Sequence, residues 1–201
     1  MSRKVLGIVG SYRKGGAVDA LVGEVLRGAE DAGAQAAKEY LLDKRIEFCT
    51  NCRRCTQEPG PEPGRCVHDD DLGELLDLCR QADGLVLGAP VNFYNVNALT
   101  RRFLERLVCF AYWPWKSGGG PVMRVKDRGK RAVLVTTAAM PGFLIPLATG
   151  SPRALRAMAK TLGARPVASV FAGLLGDEEH PAVPERVLRP ARAAGRRLAS
   201  G

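Results

Sequence analysis

The chain has 201 residues, 46 % hydrophobic and 25 % charged, which is enough for one α/β domain with a core of its own, over 1–201. The formal charge of +9 has its arginines concentrated in the tail PERVLRPARAAGRRLASG, without interleaved aromatics. This counts against nucleic acid as a partner and fits attraction to phosphate-bearing cofactors. No apolar run approaches the roughly 18 residues that cross a bilayer, so a cytoplasmic protein with no membrane partner is expected, its six cysteines held reduced.

The first strand, Val5 to Val9, is a short buried run that opens into GSYRKGG, Gly10 to Gly16. Its glycines allow a tight turn, Ser11 offers a hydroxyl, and Arg13 and Lys14 offer positive charge. The amides opening the next helix, which carries Leu21, Val22, Val25, Leu26 and Ala29 on one face, point at whatever lies above them. This is a phosphate cradle, although it matches neither the dinucleotide glycine fingerprint nor the P-loop. A weaker, more polar second strand, Gln35 to Leu41, reads as a sheet edge.

The loop that follows, residues 49–66, holds four of the six cysteines in the pattern C-x2-C-x2-C-x10-C: Cys49, Cys52, Cys55 and Cys66. Spacings of three let thiolates converge on one object, and a fourth ligand from across a Pro/Gly spacer can complete a [4Fe-4S] site. Zinc held by four thiolates, or by three with His68, suits the same residue types. A thiol-redox pair at Cys49 and Cys52 and a loop without a ligand are the other readings. The DDDLGE stretch reads as a helix start, with Asp71 and Glu74 at capping-box spacing. That helix carries Leu72, Leu75, Leu76 and Cys79 on its apolar face; Cys79 and Cys109 read as core thiols. His68 and His180 stand apart from any serine or acid at a telling spacing, so neither is given a catalytic role.

The third strand, Gly84 to Ala89, leads into GAPVNFYNVN, where Pro90 is expected to end strand pairing. Asn92, Phe93, Tyr94 and Asn95 then bring amides and aromatic rings beside the phosphate loop. A helix from near Asn97 presents Leu99, Phe103, Leu104, Leu107 and Val108. The aromatic stretch CFAYWPWKS, with Trp113 and Trp115, reads either as solvent-shielded loop packing or as part of a subunit interface or ring cover. Ala132 to Thr137 and Pro166 to Phe171 complete five strands, with a helix through Leu155, Met158, Ala159 and Leu162 between them. A last helix from near Pro184 is expected to kink or pause at Pro190. Such alternation predicts a flavodoxin-like doubly wound three-layer fold, a five-stranded parallel sheet of order 2-1-3-4-5, with ligands at the carboxyl ends of the strands.

GSYRKGG, CVHDDDLGELLDLCRQADGLVLGAPV and NFYNVNALTRRFLERL together resemble the flavodoxin-like NAD(P)H-dependent FMN reductases, in particular their iron-sulfur flavoprotein branch, over about residues 4–175. The resemblance implies an FMN-dependent oxidoreductase in which the flavin carries the chemistry. Electrons would pass between NAD(P)H or a protein donor and a quinone, flavin or carrier, in a homodimer or homotetramer. It places the FMN phosphate on Ser11, Arg13, Gly15, Gly16, Ala17 and Val18. It places the ring against Pro90, Val91, Asn92, Phe93 and Tyr94, with Thr137, Ala138, Ala139, Met140, Pro141 and Gly142 at its other edge. The cluster falls to Cys49, Cys52, Cys55 and Cys66. Ala17-Val18 departs from the family's usual Asn-Thr or Asn-Ser, which shifts phosphate binding onto backbone donors and Arg13, and the ten-residue spacer before Cys66 is longer than usual. A non-enzymatic electron carrier and a zinc-stabilised nucleic-acid-binding protein are the rival functions.

Overall fold

The computed structural model describes residues 2–127, 129–176 and 182–200; His180 lies outside them. The described strands are β1 (Lys4–Val9), β2 (Gln35–Tyr40), β3 (Gly84–Asn92), β4 (Asn95–Val96), β5 (Ala111–Tyr112), β6 (Val122–Met123), β7 (Lys130–Thr137) and β8 (Ala164–Ala172). The helices are α1 (Ala17–Asp31), α2 (Leu72–Gln81), α3 (Ala98–Arg106), α4 (Ile145–Ala148), α5 (Ser151–Thr161) and α6 (Glu185–Ala199). Five strands pair in parallel in the order β2-β1-β3-β7-β8, which is the expected 2-1-3-4-5 flavodoxin-like sheet. The short β5–β6 ribbon forms a separate sheet, which the apolar pattern did not announce because each strand has only two residues.

Alternation along each buried strand sorts its side chains to the two helical layers. Val5, Val9, Val86, Val133 and Val135 face α1 and α6, where they meet Leu21, Val22, Val25 and Leu198. Leu6, Ile8, Leu85, Leu87 and Leu134 face α2, α3 and α5, among Leu75, Phe103, Leu155 and Met158. The polar β2 takes one edge, as expected. Pro166 sits on the other edge, where β8 slips its register between Ala132↔Pro166 and Val133↔Ala168.

Three local expectations are corrected. Pro90 does not end β3, because the strand changes partner there: Pro90 is the last residue beside β7, and Val91 and Asn92 turn to pair antiparallel with β4. The Asp71 side chain does not cap α2; it accepts from Arg45 N–H at 2.7 Å, while Asp70 accepts from Leu72 N–H. Finally, α6 runs through Pro190 without interruption, since the packing of Ala191, Ala194 and Leu198 outweighs one missing backbone donor.

Candidate functional site

Three loops leave the carboxyl ends of β1, β3 and β7 beside one another because those strands are neighbours in the sheet. The loop after β1 is tied down from below. Gly10 donates its N–H to Gly88 O at 2.7 Å, and Gly10 O accepts from Asn97 Nδ2 and Thr100 Oγ1 at 2.9 and 3.0 Å. Asn97 also caps α3, accepting from Thr100 N–H. One residue therefore starts the helix and anchors the first loop. Ser11 turns the chain by accepting from Arg13 N–H at 3.1 Å.

Between these loops lies an open cleft of about 820 Å³, within the range of sites that hold a nucleotide-sized cofactor. Ser11, Arg13, Gly16, Ala17 and Val18 line it from the first loop, Pro90, Val91 and Asn92 from the second, and Thr137, Ala138 and Ala139 from the third. Six of the expected positions do not line it: Gly15, Phe93, Tyr94, Met140, Pro141 and Gly142. Gly15, at φ +74°, gives its N–H to the Asp19 carboxylate at 2.7 Å and does not line the cleft. Gly142 opens a short turn behind the third loop. Phe93 and Tyr94 are the two central residues of the β3–β4 hairpin, and both are exposed at positive φ (+48° and +62°). They stand at its tip instead of covering the cleft.

Tyr12, Leu175 and Gly176 also line the cleft and were not singled out in the sequence. Leu175 and Gly176 follow β8; Ala138 N–H to Ala172 O and Leu175 N–H to Ala138 O bind that loop to the one after β7. The only hint available from sequence was that every parallel strand ends on the same edge.

Asp19 supports the loop after β1. Its buried carboxylate accepts from Lys38 Nζ at 2.6 Å and from Tyr40 OH at 3.0 Å, besides Gly15 N–H. Burial pushes its pKa up, but the bonds from Lys38, Gly15 and Tyr40 outweigh this and hold the carboxyl below its ordinary range.

A second cavity lies under the cysteine loop. Cys49, Cys52, Cys55 and Cys66 all line it, with His68, Arg106 and Cys109. It is small and shares no lining residue with the cleft. Among the described residues no three His, Cys, Asp or Glu side chains converge tightly enough for a single metal ion. Four thiols on the wall of one cavity are a donor set that a [4Fe-4S] cluster can use. Burial, with Cys66, Cys49 and Cys52 close by, pushes the Cys55 thiol up. Cys79 and Cys109 are buried as expected, and burial pushes each thiol up to about 12.

The long spacer folds back onto Arg124, which takes up two of its carbonyls. Arg124 donates to the carbonyls of Cys55, Glu58, Gly60 and Cys109 at 2.8–3.1 Å. Gly64 N–H reaches Cys109 O at 2.8 Å, and any Cβ at Gly64 would overlap Cys55 O. Arg53, between Cys52 and Cys55, has its guanidinium 3.6 Å from the Trp113 ring centroid and 3.9 Å from that of Trp115. The tryptophans therefore clasp the cysteine loop and do not cover the cleft. Sequence reasoning passed over Arg53, Arg106 and Arg124, because an arginine pattern alone does not distinguish a loop anchor from a solvated cation.

Residues 3–172 match the family of NADPH-dependent FMN reductases, and the chain belongs to that family. An iron-sulfur flavoprotein of Archaeoglobus fulgidus is 32 % identical over 129 residues, covering 63 % of this chain and 56 % of the relative. One of Methanocaldococcus jannaschii is 36 % identical over 103 residues, 51 % of each. The chain thus spans about half the length of the curated relatives it matches. The fold resembles an NAD(P)H:quinone oxidoreductase from Methanothermobacter marburgensis (TM-score 0.70, 18 % identity, 98 % of this chain and 100 % of that one). It also resembles an FMN-dependent NADH-azoreductase of Bacillus anthracis in complex with FMN (0.65, 14 % identity, 100 % and 98 %).

Proposed function

We propose that this member of the NADPH-dependent FMN reductase family is an FMN-dependent oxidoreductase of the iron-sulfur flavoprotein kind, with FMN in the cleft and a [4Fe-4S] cluster on Cys49, Cys52, Cys55 and Cys66. The observation that carries the reading is the pair of separate preformed spaces, a nucleotide-sized cleft at the strand ends and a small cavity lined by four thiols. When bound, the flavin accepts a hydride from NAD(P)H and the cluster carries electrons singly to a quinone, flavin or carrier protein.

The chain's own residues bind and orient. Ser11 and Arg13 hold the phosphate, and the amides of Gly16, Ala17 and Val18 at the start of α1 add donors that the absent Asn-Thr side chains would otherwise supply. Pro90 and Val91 form one wall and Thr137 to Ala139 the other, with the Asn92 amide between them able to bond a ring carbonyl. Phe93, Tyr94, Phe143, Leu147 and Leu174, all exposed on segments that follow the carboxyl ends of β3, β7 and β8, support a homo-oligomer in which a second copy covers the cleft. At the cluster site, four thiolates supply the ligands, while Arg53 and Arg106 bring positive charge to the cavity wall.

Anaerobic purification followed by an absorption spectrum and assays of flavin, iron, acid-labile sulfide and zinc tests this. The expected result is FMN together with equal amounts of iron and sulfide. Colourless protein carrying zinc and unable to take up FMN would overturn the reading; a yellow protein without iron would remove the cluster alone.

A further inference from the structure

We propose that Arg106 is a positioning residue for the cluster: it fixes Cys66 as the fourth ligand and, by donating an N–H to its sulfur, raises the cluster's reduction potential. This rests on the reading of the cysteine cavity as a cluster site. Arg106 is the last residue of α3 and is 2 % exposed. Its Nη1 donates to Glu47 O at 2.7 Å and Asp70 Oδ2 at 2.6 Å; its Nη2 donates to Asp70 Oδ1 at 3.2 Å and Cys66 Sγ at 3.3 Å. Asp70 is fixed in turn by the N–H groups of Glu47 (2.9 Å) and Leu72 (3.2 Å).

The planar fork of a guanidinium is needed for this pattern. Two nitrogens reach a carboxylate, a carbonyl and a sulfur at once, which a lysine ammonium on a single point cannot do. The pair is buried, with both side chains 1 % exposed. Packing alone would be served as well or better by two apolar side chains, because removing two charges from water is costly.

The pair also has a direction. Its carboxylate lies behind the guanidinium, between the start of α2 and the segment at Glu47, and its positive end meets the thiolate. A donor and positive charge at a ligand sulfur favour the more negatively charged, reduced cluster. The same contact answers the spacer. After ten residues of Pro/Gly-rich chain, Cys66 is held against α3, a rigid element, and not left to the loop.

The test is a potentiometric titration, followed by electron paramagnetic resonance, of anaerobically purified protein and two variants. Arg106→Lys keeps the charge and loses the fork; Arg106→Gln with Asp70→Asn removes both charges and leaves no orphaned carboxylate. Both should lower the midpoint. At the wild-type midpoint the reduced-to-oxidised ratio should fall about tenfold, which is 59 mV for one electron. Loss of iron from a variant whose far-UV circular dichroism is intact would support the positioning of Cys66. Variants with full iron and sulfide and an unchanged midpoint would overturn the proposal. If neither variant folds, wild-type protein labelled with [15Nη]arginine decides it: pulsed resonance on the reduced cluster should show a 15N coupling, and its absence overturns the proposal. Wild-type protein without iron or sulfide would instead defeat the cluster reading beneath it.

Discussion

At the scale of single residues, the loop after β1 offers a proposed phosphate a cation and backbone amides in place of side-chain donors. With Ala17 and Val18 at the helix start, Arg13 is the charged side chain that lines the cleft among the described residues. Arg13→Ala should weaken FMN binding by about ten- to a hundredfold, the worth of a charge-assisted hydrogen bond, read by flavin fluorescence titration of the apoprotein. Asp19 makes stability depend on pH. Its folded pKa is lowered, so its contribution is present above the unfolded value of about 3.9 and disappears as pH falls through the folded one. Lys38 runs the opposite way: burial lowers its pKa, but the bonds to Asp19 and Tyr40 raise it more, so its share is lost only as pH rises through that raised value. Asp19→Asn should cost about 1 kcal/mol at pH 7 and less at pH 3, measured by urea unfolding at both.

At the scale of elements, α1 and α6 touch backbone to backbone. A Cβ at Gly28 would strike Arg192 O, and one at Gly195 would strike Val25 O, so each helix offers a glycine to the other. In an exposed helix Gly→Ala gains about 1 kcal/mol. Here Gly195→Ala should instead destabilise by about 1–3 kcal/mol through overpacking, seen as a lower thermal midpoint. The β3–β4 hairpin shows the reverse case. Two positive φ values in a two-residue loop call for Asn-Gly, yet Phe93 and Tyr94 occupy them, at a cost of about 1–2 kcal/mol each. Replacing Phe93-Tyr94 by Asn-Gly should raise the thermal midpoint. If the exposed aromatics serve the oligomer, the same double variant should sediment as a smaller species.

At the scale of the whole molecule, the cleft and the cysteine cavity are built from different contacts and share no lining residue. The cysteine loop is held by Arg124, by the Arg53 clasp and by the Asp70–Arg106 pair, so its anchorage does not depend on metal alone. Removing iron with a chelator under anaerobic conditions should leave far-UV circular dichroism and FMN affinity unchanged. With the proposed cluster in the cavity, fluorescence from Trp113 and Trp115, which are the chain's two tryptophans, should rise as iron is removed.

Much of this was legible in the sequence because it is local. Four short apolar runs and one polar edge strand, separated by helical periods, point to a parallel sheet, a parallel sheet gathers its loops at one edge, and the cysteine spacing sets how many thiols can meet. Even the polar β2 and the buried Cys79 and Cys109 follow from which residues water accepts. Other features depend on partners far along the chain, and only the tertiary structure decided them. Pro90 stays in its strand because β4 folds back to pair with Val91 and Asn92; Gly15 turns away from the cleft because Lys38 and Tyr40 hold Asp19 beneath it. The tryptophans grip Arg53, sixty or so residues earlier, and Arg106 comes 40 positions after the sulfur to which it donates. A hydrogen bond is set by distance in space, to which sequence separation gives no guide, so the fold could be read from pattern while the anchoring of the cysteine loop could not.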